Sequence, residues 1–224
     1  MISKMIITST DYFIHPVTDQ PVVRIFGRTD DGEALTLYDD RTYPYFYLAN
    51  PRTYDERLLQ KAGANVVEYV TLKQSSTNVR CAKVRTRKPK DVSILRDRLQ
   101  KRGRTVYSAD ILYQLRYMYD MNIGSYVRVM YDKNNSIRSI TNVDPFNVDL
   151  KVMCFDIESS IRTKDVYCIA VRVNDEKEVF DDSNGEKQML EEFVEYVRLK
   201  DPDIITGYNI FGFDLPYLKM ACRR

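Results

Sequence analysis

The chain has 224 residues and a mass of 26.3 kDa, enough for one large domain or two small ones, each with a core of its own. Hydrophobic residues make up 44 % and charged residues 29 %, with only 8 Gly and 8 Pro, which excludes a disordered or fibrous chain. The formal net charge is +2, no apolar run approaches the roughly 20 residues that cross a bilayer, and Met1-Ile2-Ser3-Lys4 leads into strand-like sequence rather than a secretory leader. A soluble, cytoplasmic protein without a membrane partner is expected.

In chain order, Ile6 to Ile14, Val22 to Gly27 and Tyr45 to Leu48 are runs of β-branched and aromatic residues separated by turn signals such as Asp30-Asp31-Gly32 and Asn50-Pro51. A helix is predicted from Thr53 to Ala62, with Thr53 as N-cap and Glu56 completing a capping box. Strands resume at Val66 to Leu72 and Val79 to Arg85. The segment Asp91 to Gln100 places Val92, Leu95 and Leu99 at helical spacing, with Gly103 as a stop signal. A further helix is predicted from Ala109 to Tyr119 and a strand from Tyr126 to Tyr131, completing an α+β module over residues 1–131. Residues 132–149, with Asn134-Asn135 and Pro145, read as a linker. Beyond it, three strands (Val152 to Ile157, Val166 to Val173, Glu178 to Phe180) precede a helix (Gly185 to Leu199), a strand (Ile204 to Gly207) and a second helix (Phe213 to Cys222). A meander followed by alternating helix and strand predicts an α/β sheet over residues 150–224.

Charge divides at the same place. Residues 1–143 carry 23 basic against 15 acidic side chains, net +8, and residues 144–224 carry 11 against 17, net −6. Within the first part, Lys73 to Arg104 holds 12 Lys or Arg against only Asp91 and Asp97. This is either a solvated face or the electrostatic footprint of phosphate-backbone binding.

The four cysteines are widely spaced, without a CxxC pair, and His15 is the only histidine. A zinc site, a disulfide framework and Ser-His or Cys-His chemistry are therefore unfavourable, and any hydrolysis must rest on carboxylates and a metal. Phe155-Asp156-Ile157-Glu158 ends an apolar run, and period-two alternation puts Asp156 and Glu158 on one face. Two adjacent carboxylates are either solvated acids at a strand end or a pair held ionised by a cation, and oxygen ligands suit Mg²⁺ or Mn²⁺. Asp214 lies near the start of the last helix, where its carboxylate can reach back toward the strand ends as a third ligand.

The F-D-I-E segment (Phe155 to Glu158) and the G-Y-N-x-x-x-F-D segment (Gly207 to Asp214), preceded by Asp201-Pro202-Asp203-Ile204-Ile205, resemble the first two exonuclease motifs of family B DNA polymerases, archaeal type. The resemblance extends upstream to Pro21 through Arg28, Asp40 through Tyr47 and Pro89 through Val92. It implies an N-terminal α+β domain that reads DNA, followed by the first half of a ribonuclease-H-like 3′→5′ proofreading exonuclease domain. Asp156, Glu158 and Asp214 would be catalytic metal ligands, with Asn209 and Phe213 contacting the primer 3′ end. The implied partners are single-stranded and primer-template DNA, in a nucleoid-associated setting.

The same resemblance implies a template-strand uracil pocket formed by Pro44, Tyr45, Pro89, Val92, Ile111, Tyr113 and Arg116. Leu112 and Tyr113 stand where the family tends to have proline and phenylalanine, which alters the pocket floor. A third exonuclease motif, with a tyrosine and the last aspartate, would lie beyond Arg224, and the polymerase palm, fingers and thumb are not in this sequence. They would be supplied in cis, if the chain is truncated, or in trans, if the gene is split. With the fourth carboxylate missing, the chain alone is expected to hold Mg²⁺ or Mn²⁺ weakly and to turn over little. The alternative is a free-standing single-stranded-DNA-binding module or split-gene subunit without catalysis of its own.

Overall fold

The computed structural model describes residues 1–223, which divide into two units, one spanning Met1–Phe146 and the other beginning at Asn147. In the first unit, β1 (Ile2–Ile14), β2 (Pro21–Thr29), β3 (Ala34–Asp39), β8 (Tyr126–Tyr131) and β9 (Ile137–Asn142) form an antiparallel sheet of order β3-β2-β1-β8-β9. The long β1 pairs with β2 through a bulge between Ile7 and Ser9. Gly27 sits opposite it, where an added Cβ would lie 2.1 Å from the Ile6 carbonyl oxygen, so only glycine lets the two strands approach this closely.

A second sheet of the same unit, order β5-β6-β4-β7, joins β4 (Tyr45–Ala49), β5 (Asn65–Gln74), β6 (Thr77–Arg85) and β7 (Val106–Tyr107). Helices α1 (Thr53–Lys61) and α2 (Pro89–Gln100) complete a β-α-β-β-α-β unit with it. As the spacing predicts, Val92, Leu95 and Leu99 of α2 are buried, here among Phe46, Leu48, Leu59, Ala82 and Val84. Pro89 takes the first turn of α2, where a missing N–H costs nothing, and Gly103 turns left-handed just past its end.

The capping box of α1 is displaced by one residue from the expected Thr53 and Glu56. The N-cap is Arg52, whose N–H is accepted by Asp55 Oδ2 at 2.9 Å. The shorter Asp55 is also held by Arg104 at 2.8 Å and is buried, whereas Glu56 turns to the Tyr69 hydroxyl. Helix α3 (Tyr113–Asp120) starts four residues later than expected, because Ser108 adopts a left-handed backbone and its carbonyl is taken by the Arg116 guanidinium. Its Tyr113 and Tyr117 bury into the five-stranded sheet.

The segment expected to be a linker contains β9. Asp132 accepts the N–H groups of Asn134 and Ser136, tying a tight turn that sends the chain back along β8. Only Ile137 and Ile140 of β9 are buried, three residues apart, so the period-two signal of a strand is lost. Strands β3 and β7 are also absent from the sequence-based expectation.

In the second unit, β10 (Val152–Ser159), β11 (Val166–Val173), β12 (Glu176–Asp181) and β13 (Ile204–Thr206) form a mixed sheet of order β12-β11-β10-β13. The meander β10-β11-β12 is antiparallel and β13 returns parallel to β10 after α4 (Glu186–Lys200), matching the expected α/β class. Met153, Phe155 and Ile157 of β10 share a core with Met189, Leu190 and Phe193 of α4 and with Tyr217, Leu218 and Ala221 of α5 (Asp214–Ala221).

Candidate functional site

The alternation of β10 is strict. Met153, Phe155 and Ile157 are buried while Asp156 and Glu158 are exposed on the opposite face, as the period-two reading requires. Asp214 lies in the first turn of α5 at 1 % exposure. Its Oδ1 accepts the Ile157 N–H at 3.1 Å, from the residue between the two exposed acids, and its Oδ2 is buried without a hydrogen-bond partner. An unpartnered buried carboxylate oxygen is costly, of the order of 1–3 kcal/mol or more. Among the described residues, however, no group of three or more His, Cys, Asp or Glu side chains stands close enough to hold a metal ion. The structure thus brings Asp214 to the strand of Asp156 and Glu158 without closing the three carboxylates on one another.

Two glycines shape the connection from β13 to α5. An added Cβ on Gly207 would lie 2.5 Å from the Phe155 carbonyl oxygen, and one on Gly212 would lie 2.4 Å from Asn209 Oδ1. Asn209 is left-handed and exposed, and its carbonyl accepts the N–H groups of Gly212 and Phe213 at 2.9 and 3.0 Å. The Phe213 ring is half-buried and packs on Tyr217, with centroids 4.4 Å apart. The Tyr217 hydroxyl accepts a hydrogen bond from Lys164 Nζ at 2.7 Å. Exposure singles out two residues to which the motif reading gives no role. Tyr208 and Phe211, at 93 % and 83 % exposed, present the barest aromatic surface on this connection.

In the first unit, a cavity of about 270 Å³ is lined by all seven residues expected there: Pro44, Tyr45, Pro89, Val92, Ile111, Tyr113 and Arg116. Tyr12, Ser93 and Arg96 also line it, and no motif points to them. Its polar wall is pre-organised. The Arg116 guanidinium is buried, lies 4.3 Å from the centroid of the Tyr45 ring and donates to the Ser108 carbonyl. The Tyr45 hydroxyl donates to Asp120 Oδ1 at 2.8 Å, and burial together with that carboxylate pushes its pKa up. Burial raises Tyr113 to about 12, and its hydroxyl donates to the Thr42 carbonyl at 3.1 Å with Thr42 Oγ1 3.0 Å away. The hydroxyl by which Tyr113 exceeds a phenylalanine is therefore satisfied within the protein.

The basic stretch is divided by the fold. Arg104 turns inward to Asp55, Arg96 pairs with Asp97, and Arg87 and Lys88 both reach Asp19 at 3.0 and 2.6 Å. Lys83 pairs with Glu68 at 3.4 Å, and it and Arg85 of β6 lie over Tyr45 and Tyr43, 4.4 and 4.5 Å from the ring centroids. The net +10 of the sequence is thus partly neutralised, and what remains is interleaved with tyrosine.

A family model described as DNA polymerase family B, exonuclease domain, matches residues 159–221, which include Asp214 and begin just after Glu158. The chain is 28 % identical to the DNA polymerase of Archaeoglobus fulgidus, over 91 % of this chain and 28 % of that protein. It is 30 % identical to DNA polymerase 2 of Aeropyrum pernix, over 91 % of this chain and 30 % of that protein. The solved structure of the family B DNA polymerase from Pyrobaculum calidifontis superposes with a TM-score of 0.80 at 27 % identity, covering 98 % of this chain and 32 % of that one. The chain spans 28 % to 32 % of the length of these relatives. Among the described residues no helix is long and apolar enough to cross a membrane. By sequence and by fold, the chain is similar to an exonuclease-region fragment of archaeal family B DNA polymerases.

Proposed function

We propose that the chain serves DNA replication as part of a family B DNA polymerase, contributing carboxylates to a 3′→5′ proofreading site and a pocket that inspects the template strand. The observation that carries the first role is the docking of Asp214 on the Ile157 N–H, with Oδ2 left over, beside the strand bearing Asp156 and Glu158. The donor set is all carboxylate oxygen and fits a hard divalent cation, Mg²⁺ or Mn²⁺. Asp214 would be the buried member of the set, with the exposed Asp156 and Glu158 as its other two ligands. Such an ion supplies, when bound, charge stabilisation for water attack and for the leaving oxygen in phosphodiester hydrolysis. Asn209, exposed on its turn, would offer its amide to the primer 3′ end, and Phe213, half-buried against Tyr217, would contact the same end by packing.

The second role rests on the convergence of the seven pocket residues on one cavity. Flat apolar walls from Pro44, Pro89 and Val92 suit an extruded pyrimidine, and a close-fitting wall rejects the methyl group of thymine. Single-stranded DNA is the partner, drawn by the remaining cations between Lys73 and Arg104. The test is fluorescence anisotropy with matched strands containing uracil or thymine over a range of salt. General affinity falls steeply with salt while the uracil preference persists as a ratio. Equal affinity for both strands at every salt concentration refutes the pocket.

A further inference from the structure

The β-α-β-β-α-β unit carries a groove of about 580 Å³ between α1 and the C-terminal end of α2. Its rim holds Arg57 and Lys61 from α1 and Arg98 and Arg102 from α2, with Tyr54, 62 % exposed, at one end. Leu58 and Ala62 make an apolar floor. Among the described residues none of the four cations is paired with a carboxylate. The acids nearest in sequence are committed elsewhere: Asp55 to Arg104, Glu56 to the Tyr69 hydroxyl and Asp97 to Arg96. Arg102, just beyond α2, donates to the Arg98 carbonyl at 3.0 Å, and Arg57 and Lys61 are four residues apart on α1, spaced about 6 Å along its axis. That spacing is comparable to the separation of successive phosphates on an extended strand.

The helix C-termini favour positive charge and account for part of this placement. They do not account for convergence on a common groove or for a bare tyrosine within it. A cationic groove with an exposed ring over an apolar floor is the recognition pattern of unpaired nucleic acid, phosphates on the rim and a base on the ring. We infer that the α1–α2 groove is a second binding site for single-stranded nucleic acid, separate from the cavity around Tyr45 and using cations of α1 that lie outside the Lys73–Arg104 stretch. The inference rests on the single-strand-binding reading above.

The test is anisotropy of a short labelled oligothymidylate on the whole chain, its Arg57→Gln/Lys61→Gln variant and its Tyr54→Ala variant. These side chains are exposed, and circular dichroism checks that the fold is kept. The double variant is expected to bind on the order of tenfold more weakly at low salt, with the slope of log affinity against log salt smaller by about 1.4, two phosphate contacts fewer. Tyr54→Ala is expected to weaken binding roughly fivefold or more with the slope unchanged. Uracil preference should survive in both variants. If the wild type binds and the double variant matches it in affinity and slope, the groove is overturned while the binding reading stands. If the wild type does not bind at low salt, that reading falls as well. Groove-dependent capture of an oligoglutamate peptide, with oligonucleotide binding indifferent to the substitutions, would assign the groove to an acidic protein segment and also overturn the proposal.

Discussion

Replacing Asp214 by asparagine separates a structural carboxylate from one kept for a ligand. Its Oδ1 accepts the buried Ile157 N–H at 3.1 Å, and asparagine can retain that bond through its carbonyl. Converting a charge-assisted bond into a neutral one loses about 1 kcal/mol, and removing a carboxylate from the first turn of α5 loses about 0.5 kcal/mol more. Against this, the site of the unpartnered Oδ2 no longer buries an unsatisfied charge, although the Nδ2 that replaces it is itself left without an acceptor, so the gain is held to about 1–2 kcal/mol. The sum is near zero, so without metal Asp214→Asn should unfold within a few degrees of wild type, at about 2–4 °C per kcal/mol. Asp214→Ala also orphans the Ile157 N–H and should cost about 2–4 kcal/mol. The assay is thermal unfolding in EDTA and in Mn²⁺. At ten times its dissociation constant the ion contributes about 1.4 kcal/mol, roughly 3–6 °C, to wild type and nothing to either variant. A full Mn²⁺ shift in Asp214→Asn, no shift in wild type, or a metal-free loss above about 3 kcal/mol in Asp214→Asn would refute the reasoning.

Three further outcomes test the fold around the cavity. Asp39 is buried, which pushes its carboxyl up, but hydrogen bonds from Arg41 and from the Tyr117 hydroxyl at 2.7 Å outweigh this and hold it below the usual range. Its contribution is therefore complete above the unfolded value of about 3.9 and lost as pH falls through the lower folded value. In denaturant titrations Asp39→Asn should cost about 2 kcal/mol near neutrality, with the gap to wild type narrowing only below about pH 4; a gap that widens on acidification contradicts the assignment. Gly27→Ala should destabilise by about 1–3 kcal/mol because its Cβ meets the Ile6 backbone, whereas Gly124→Ala, with its nearest neighbour at 3.8 Å, should be nearly neutral; equal effects in the two would contradict the bulge geometry. Tyr113→Phe should leave the ratio of uracil to thymine affinity unchanged, since the hydroxyl it removes is bound to Thr42, and a changed ratio would place that hydroxyl in recognition.

Much of this was legible in the residues themselves. The alternation in Val152 to Glu158 gives both the buried face of β10 and the shared side of Asp156 and Glu158, because a strand at a core boundary has only one register that buries its apolar set. The helical spacing of Val92, Leu95 and Leu99 is equally direct. Where the sequence misleads, side chains override local signals. Asp55 caps α1 instead of Glu56 because Arg104, about fifty residues away, holds it buried, and no local pattern carries that contact. Likewise α3 begins at Tyr113 because Arg116 binds the Ser108 carbonyl. Strand β9 hides behind an Asp-Asn turn and a bulge that spaces its two buried isoleucines by three. The cavity residues are scattered from Pro44 to Arg116, so only resemblance gathers them beforehand; physical chemistry explains their convergence once β4, α2 and α3 are packed.

The claim that Asp156, Glu158 and Asp214 form one cation site is tested most directly by paramagnetic broadening of backbone amide signals on titrating Mn²⁺ into the chain. Broadening should appear first at residues 156–158 and 213–215 and disappear from both segments together in Asp156→Ala, since one ion spans them. Broadening spread over the exposed acids of β12 and α4, or loss at 156–158 with 213–215 still affected in that variant, would contradict it.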